Sequence, residues 1–237
     1  MRDVYSKYWI TARERIYGFS DYDKNLCHYI SEHLPPGSRL LEVALGTGYP
    51  FADFFQKTGF RVYGLDISPD LITKCRRLNP NIECQIGDAE NLDYPDDFFD
   101  GTYCFHSTWY FPNLNRAIDE MMRVTRPGGL VLFDIQNRNH EMIERDYRRL
   151  QFIKTGRGRA FSFAKNIAKV ILRRGIANWH CIVYEVPTNP KNIYEHFEER
   201  QIRNFQVMVR TANGSIEARN EIGPFRDFPR LVFVVRK

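Results

Sequence analysis

Leu41-Glu42-Val43-Ala44-Leu45-Gly46-Thr47-Gly48 is the stretch whose reading decides the fold. A short apolar strand beginning at Arg39 runs into a glycine turn, and a helix follows over roughly 50–58. Glycines at such a turn reach positive φ cheaply and let a ligand approach where a Cβ would stand. The helix behind it adds N–H groups with no partner inside the helix. Outward from this turn the alternation continues. Residues 60–65 read as a second strand, followed by a helix that Ser68 caps and Pro69 starts. Further strands are expected over 82–86, 101–105 and 130–135, with a helix over 113–125 closed by Pro127-Gly128-Gly129. Strands joined by crossover helices predict an α/β, doubly wound, Rossmann-like and mostly parallel sheet with helices on both faces.

Before the turn, Leu26, Tyr29, Ile30 and Leu34 recur at helical spacing over 20–34, and Pro35-Pro36-Gly37 stops that helix. After the fifth strand, residues 141–178 are helical in pattern and read as an insertion, and Trp179 to Val186 could add a strand. Asn189-Pro190 opens a helix to about Arg203. Residues 205–211 and 231–235 then close the chain as an antiparallel pair across a long connection, giving seven strands. The expected organisation is one domain. Residues 1–37 form a helical cover, 38–140 a binding core, 141–186 a basic insertion and 187–237 a closing helix and strands.

Composition bounds the function. In 237 residues, 43% are hydrophobic and 14% aromatic, which excludes a disordered chain. No apolar run approaches the roughly 20 residues of a membrane span, and residues 1–15 lack a signal peptide's apolar stretch. Five cysteines with no C-x-x-C pair suggest neither a disulfide framework nor zinc, and no metal site is expected. These features point to a soluble, cytoplasmic protein. The net charge of +5 is unevenly spread: 147–184 holds nine Lys or Arg and no acid, leaving 25 basic against 29 acidic residues elsewhere.

The glycine turn is not a dinucleotide fingerprint, since the third glycine of G-x-G-x-x-G falls on Phe51. Glu42 sits inside the turn motif, where a carboxylate suits a cationic ligand and repels a pyrophosphate. Asp66 and Asp88 end the second and third strands. Asp66 is placed to accept from ribose hydroxyls and Asp88 from an adenine amino group. Either could equally cap a helix.

This ordered set resembles the class I S-adenosylmethionine-dependent methyltransferases, especially the methyltransferase type 11 group, over about residues 38–136. The family pattern E/D-x-G-x-G-x-G is similar to Glu42 through Gly48, with Ala44 in place of the first glycine. Residues 92–100 and Val124-Thr125-Arg126-Pro127-Gly128-Gly129 resemble its stretches before the fourth and fifth strands. The resemblance implies that S-adenosylmethionine is the cofactor and S-adenosylhomocysteine the product. It also implies a cofactor site made of Glu42, Ala44, Gly46, Gly48, Asp66, Ile67, Asp88, Ala89 and Phe105. If Ala44 must take positive φ, the cost is roughly 1 kcal/mol or more.

Methyl transfer to a small-molecule acceptor is the implied activity, with oxygen preferred and nitrogen or carbon open. A neutral hydroxyl acceptor would call for a general base near its working pH. His106, after the fourth strand, is the first candidate; its alternative is a structural or cofactor-contacting role. Asp134, Gln136 and His140 follow the fifth strand, and Trp109, Tyr110 and Phe111 could wall the acceptor. The turn after the fourth strand lacks the Asn/Asp-Pro-Pro-Tyr/Phe pattern of base-amine methylation, and the chain has no Pro-Cys pair, so DNA is not an expected partner. Lys165, Lys169 and Arg173 form a basic helical stripe within 148–174, with Gly156 and Gly158 as hinges. That segment reads as a lid over the acceptor. It could instead meet RNA or an anionic membrane. A cofactor-binding regulatory protein that has lost catalysis is the other alternative.

Overall fold

The computed structural model describes residues 18–155, 157, 185–211, 214–219 and 221–237. The Lys165–Lys169–Arg173 stripe, both proposed hinges and nearly all of the extra strand expected at 179–186 lie outside the described residues.

Eight strands form one sheet in the order β3-β2-β1-β4-β5-β8-β6-β7. They are β1 (Arg39–Val43), β2 (Arg61–Asp66), β3 (Glu83–Ile86), β4 (Phe99–Cys104), β5 (Thr125–Gln136), β6 (Phe205–Arg210), β7 (Ile216–Arg219) and β8 (Arg230–Arg236). β1 to β5 pair in parallel, while β8 runs antiparallel between β5 and β6. The expected closing pair is present, with Phe205 opposite Val235. The eighth strand is β7, antiparallel to β6. Its four residues Ile216-Glu217-Ala218-Arg219 contain a single large apolar side chain and occupy the sheet's edge, so they lack the apolar alternation that marks a strand in sequence.

Side chains alternate across the pleat into two cores. Leu40, Val62, Tyr103, Leu130 and Leu132 face α1 (Asp21–His33), α2 (Phe51–Lys57) and α3 (Pro69–Leu78). Leu41, Val43, Val131, Phe133 and Phe233 face α4 (Leu114–Val124) and α6 (Pro190–Glu199). Helices therefore cover both faces. α5 (Glu141–Lys154) follows β5.

The caps follow from the sequence. Ser20 accepts from Asp23 N–H while the Asp23 carboxylate takes the Ser20 N–H, a reciprocal capping box. Ser68 caps α3, with Pro69 in its first turn. α6 stops at Glu199 rather than near Arg203. Gln201 turns to φ +56 and Ile202 N–H returns to the Phe197 carbonyl, which closes the helix early.

Candidate active site

The sheet order reverses between β1 and β4, which opens a crevice at the carboxyl ends of the parallel strands. The glycine turn lies at its floor. Ala44, Gly46 and Gly48 all have positive φ, at 61°, 62° and 84°. A Cβ on Gly48 would stand 3.0 Å from Asn79 Nδ2 and 3.1 Å from Cys75 Sγ, so glycine lets α3 pack on the turn. Leu45 does not narrow the crevice. It is wholly buried and packs over Gly64, where a Cβ would meet its side chain at 2.7 Å.

The two carboxylates nearest the turn are buried. Glu42 is 2% exposed and accepts the Tyr103 hydroxyl at 3.1 Å. Burial, and then the Glu42 charge, push the Tyr103 phenol well above its ordinary value, so it remains a neutral donor. Asp66 accepts from Gly46 N–H and Ser68 N–H, each at 2.9 Å, and so ties the turn to the end of β2. A ribose hydroxyl would share these oxygens rather than meet an idle carboxylate.

Asp88 is exposed, and its carboxylate accepts the Glu90 N–H at 2.9 Å. Between the ends of β2 and β3, Ile67 and Ile86 are 40% and 55% exposed, and Ala89 is half-buried. Two exposed branched apolar side chains at a strand-end rim suit the face of a flat heterocycle. Phe105 lies in the opposite state, buried with its ring 5.1 Å from Phe51. It can reach a ligand only through its backbone.

The residues at hand fit an adenosyl sulfonium. The Thr47 hydroxyl, inside the glycine turn, is buried with no hydrogen-bond partner among the described residues. An unsatisfied buried hydroxyl is costly and marks a place for a polar ligand atom.

Beside the crevice, β4, β5 and α1 bring a polar cluster together around His106. His106 follows β4 at φ +58, its N–H bonded to Asp134 Oδ1 at 2.7 Å. Its Nε2 lies 2.7 Å from Asp23 Oδ1, and its Nδ1 lies 3.3 Å from Arg230 Nη1 and 3.4 Å from Asp134 Oδ2. A guanidinium only donates, so in the neutral ring Nδ1 accepts and Nε2–H donates to Asp23. Neither ring nitrogen is idle. Asp134 is fully buried, and Arg230 donates to it at 3.1 Å while covering the Trp109 ring at 4.0 Å. Beside them, Glu185 accepts from the Tyr110 hydroxyl at 2.9 Å and from Gln136 Nε2 at 2.6 Å.

Burial alone would raise the Asp23 carboxyl. The hydrogen bond and charge of His106, with two bonds from Ser20, outweigh it and hold the group below the usual carboxylate range. Asp23, Arg230 and Glu185 escape a sequence reading because they lie 83, 124 and, from Tyr110, 75 residues from their partners. Asp23 shows only as a first-turn acid of α1. His140 begins α5 and joins no part of this cluster, while His196 is buried against Asp119 at 2.9 Å.

Residues 41–133 match a family model described as "Methyltransferase domain". A malonyl-[acyl-carrier protein] O-methyltransferase of Serratia marcescens is 37% identical over 100 residues, 41% of this chain and 38% of that protein. A sterol 24-C-methyltransferase of Eremothecium gossypii is 27% identical over 158 residues, 62% of this chain and 42% of that protein. The matches to curated relatives thus span less than half of those proteins' lengths. A solved Thermotoga maritima structure, described as an S-adenosylmethionine-dependent methyltransferase and possible histamine N-methyltransferase, aligns over all of both chains with a TM-score of 0.63. At 17% identity that likeness is one of fold.

Proposed function

We propose that residues 41–133, which match a methyltransferase-domain family model, form a class I S-adenosylmethionine-dependent methyltransferase domain, and that the chain methylates a small-molecule acceptor, with oxygen the preferred atom. The observation that carries the proposal is the convergence of the glycine turn, the Thr47 hydroxyl, Asp66 and the Ile67–Ile86 rim on one crevice. When bound there, the cofactor supplies a methyl group on a positively charged sulfur. The protein's own contribution is then alignment and exclusion of water.

On the acceptor side, Asp23 fixes the His106 ring, leaving Nδ1 as the nitrogen with a lone pair. A hydroxyl entering between Nδ1 and Arg230 would replace the longer, 3.3 Å contact and pass its proton to Nδ1. The hydroxyl oxygen would then accept the methyl group, and the cofactor would leave as a neutral sulfide that keeps the carbon–sulfur electron pair. Asp23 and Asp134 stand ready to stabilise the resulting imidazolium. Ala44 at φ +61 is the costly conformation, and it supports the reading of a weakened, cofactor-binding regulator.

Turnover to S-adenosylhomocysteine across matched alcohols, amines and activated carbon acids tests the proposal. Production that depends on an alcohol and drops by about 10²–10⁴ in H106N supports it, with Asn chosen because it tolerates positive φ. Tight cofactor binding with no turnover on any acceptor favours the regulator.

A further inference from the structure

We propose that a groove of about 960 Å³ beyond the end of β5, separate from the cofactor crevice, binds a soluble ligand through a diphosphate group that it carries. Four guanidiniums from three segments line it: Arg138 from the turn after β5, Arg145 and Arg148 from α5, and Arg226 from the loop before β8. Planar guanidinium forks match phosphate oxygens in pairs, and several forks around one concavity suit an anion with more oxygens than a carboxylate offers.

Two of the four are held in place. Glu144 accepts from Arg138 Nε at 3.0 Å and from Arg148 Nε at 2.8 Å. The bonds from Arg148 and Arg138 keep its carboxyl below the usual range, so its charge is spent on these two. Arg138 also lies over the Tyr147 ring at 4.7 Å. In both arginines the bonded atom is Nε, and neither terminal amino group has a recorded bond among the described residues. The other two are more open. Arg145 has only Asp146 at 3.6 Å, and Arg226 makes no hydrogen bond or ion pair among the described residues.

The wall that carries Arg226 is built rather than loose. The buried Asn137 amide donates to the carbonyls of Pro224, Phe225 and Phe228, fixing the loop on both sides of Arg226. Asn139 and Asn189 add neutral polar groups. Glu141 and Asp227 also line the groove and are exposed to solvent as the four arginines are, so the lining holds four guanidiniums against three carboxylates, of which Glu144 is engaged by two of the arginines.

Titration calorimetry with inorganic pyrophosphate at physiological salt tests this on the full chain. Wild type is compared with R145E/R226E and with a charge-matched control, K57E/R77E, on α2 and α3. Circular dichroism confirms that each variant is folded. Stoichiometric binding that weakens at least about tenfold in R145E/R226E, and not in the control, supports the proposal. Absence of heat at millimolar pyrophosphate, or equal weakening in both variants, overturns it. Co-sedimentation with phosphatidylglycerol vesicles separates the sources of phosphate. Vesicle binding that R145E/R226E abolishes and pyrophosphate does not displace would assign the arginines to a lipid surface and overturn the soluble ligand.

Discussion

Ala44 and Arg230 carry opposite kinds of local cost. Ala44 holds φ +61 at a turn position where glycine would be unstrained, and the neighbouring Leu45 N–H to Leu65 carbonyl bond of 2.9 Å keeps it there. A44G is expected to raise unfolding stability by up to about 1 kcal/mol, read from urea melts, with the gain limited by the greater freedom of glycine in the unfolded chain. Arg230 is the partner of a fully buried carboxylate, Asp134. R230M leaves that charge in the interior without its guanidinium partner, the His106 N–H and ring still beside it, and should cost about 3 kcal/mol or more in the same melts. The departure at Ala44 is visible in the sequence, and its conformational meaning needs the backbone φ of the folded chain. The Arg230 pairing was not visible, because a charged residue at a strand start gives no sign of a partner 96 positions earlier.

Elements show the same division. The parallel strands and their crossover helices are legible because each carries its own apolar periodicity and its own caps, as Ser68-Pro69 does for α3. β7 lacks that signal, and α6 ends where a single residue, Gln201, changes the sign of φ. The Leu45–Gly64 contact joins the glycine turn to β2, and G64A should destabilise the protein by about 1–3 kcal/mol through overpacking. Pairing it with L45A should recover part of that loss beyond the sum of the single changes. α1 is latched to His106 by Asp23, whose carboxyl titrates lower in the folded protein than in the unfolded chain. Its contribution is therefore complete above the unfolded value, near pH ~4, and is lost as pH falls through the folded value. D23N should be less stable at neutral pH and show a flatter acid limb in thermal melts followed from pH ~5 to ~2.

Across the whole molecule, the eight-stranded sheet has its topological reversal, its glycine turn and its strand-end carboxylates at the carboxyl ends of the parallel strands. No helix among the described residues is long and apolar enough to cross a membrane. The basic run that stands out in the sequence falls largely outside the described residues. The crevice makes the sharpest claim, because the Thr47 hydroxyl, buried with no partner among the described residues, is costly unless a polar atom meets it, and Ile67 and Ile86 stand exposed at the rim beside it. Calorimetric titration of the folded chain with S-adenosylhomocysteine, with NAD as the comparison, tests that claim most directly. The account predicts one equivalent of S-adenosylhomocysteine bound, and weaker binding in D66N. Uptake of NAD alone, or no uptake of S-adenosylhomocysteine by the folded protein, would contradict it.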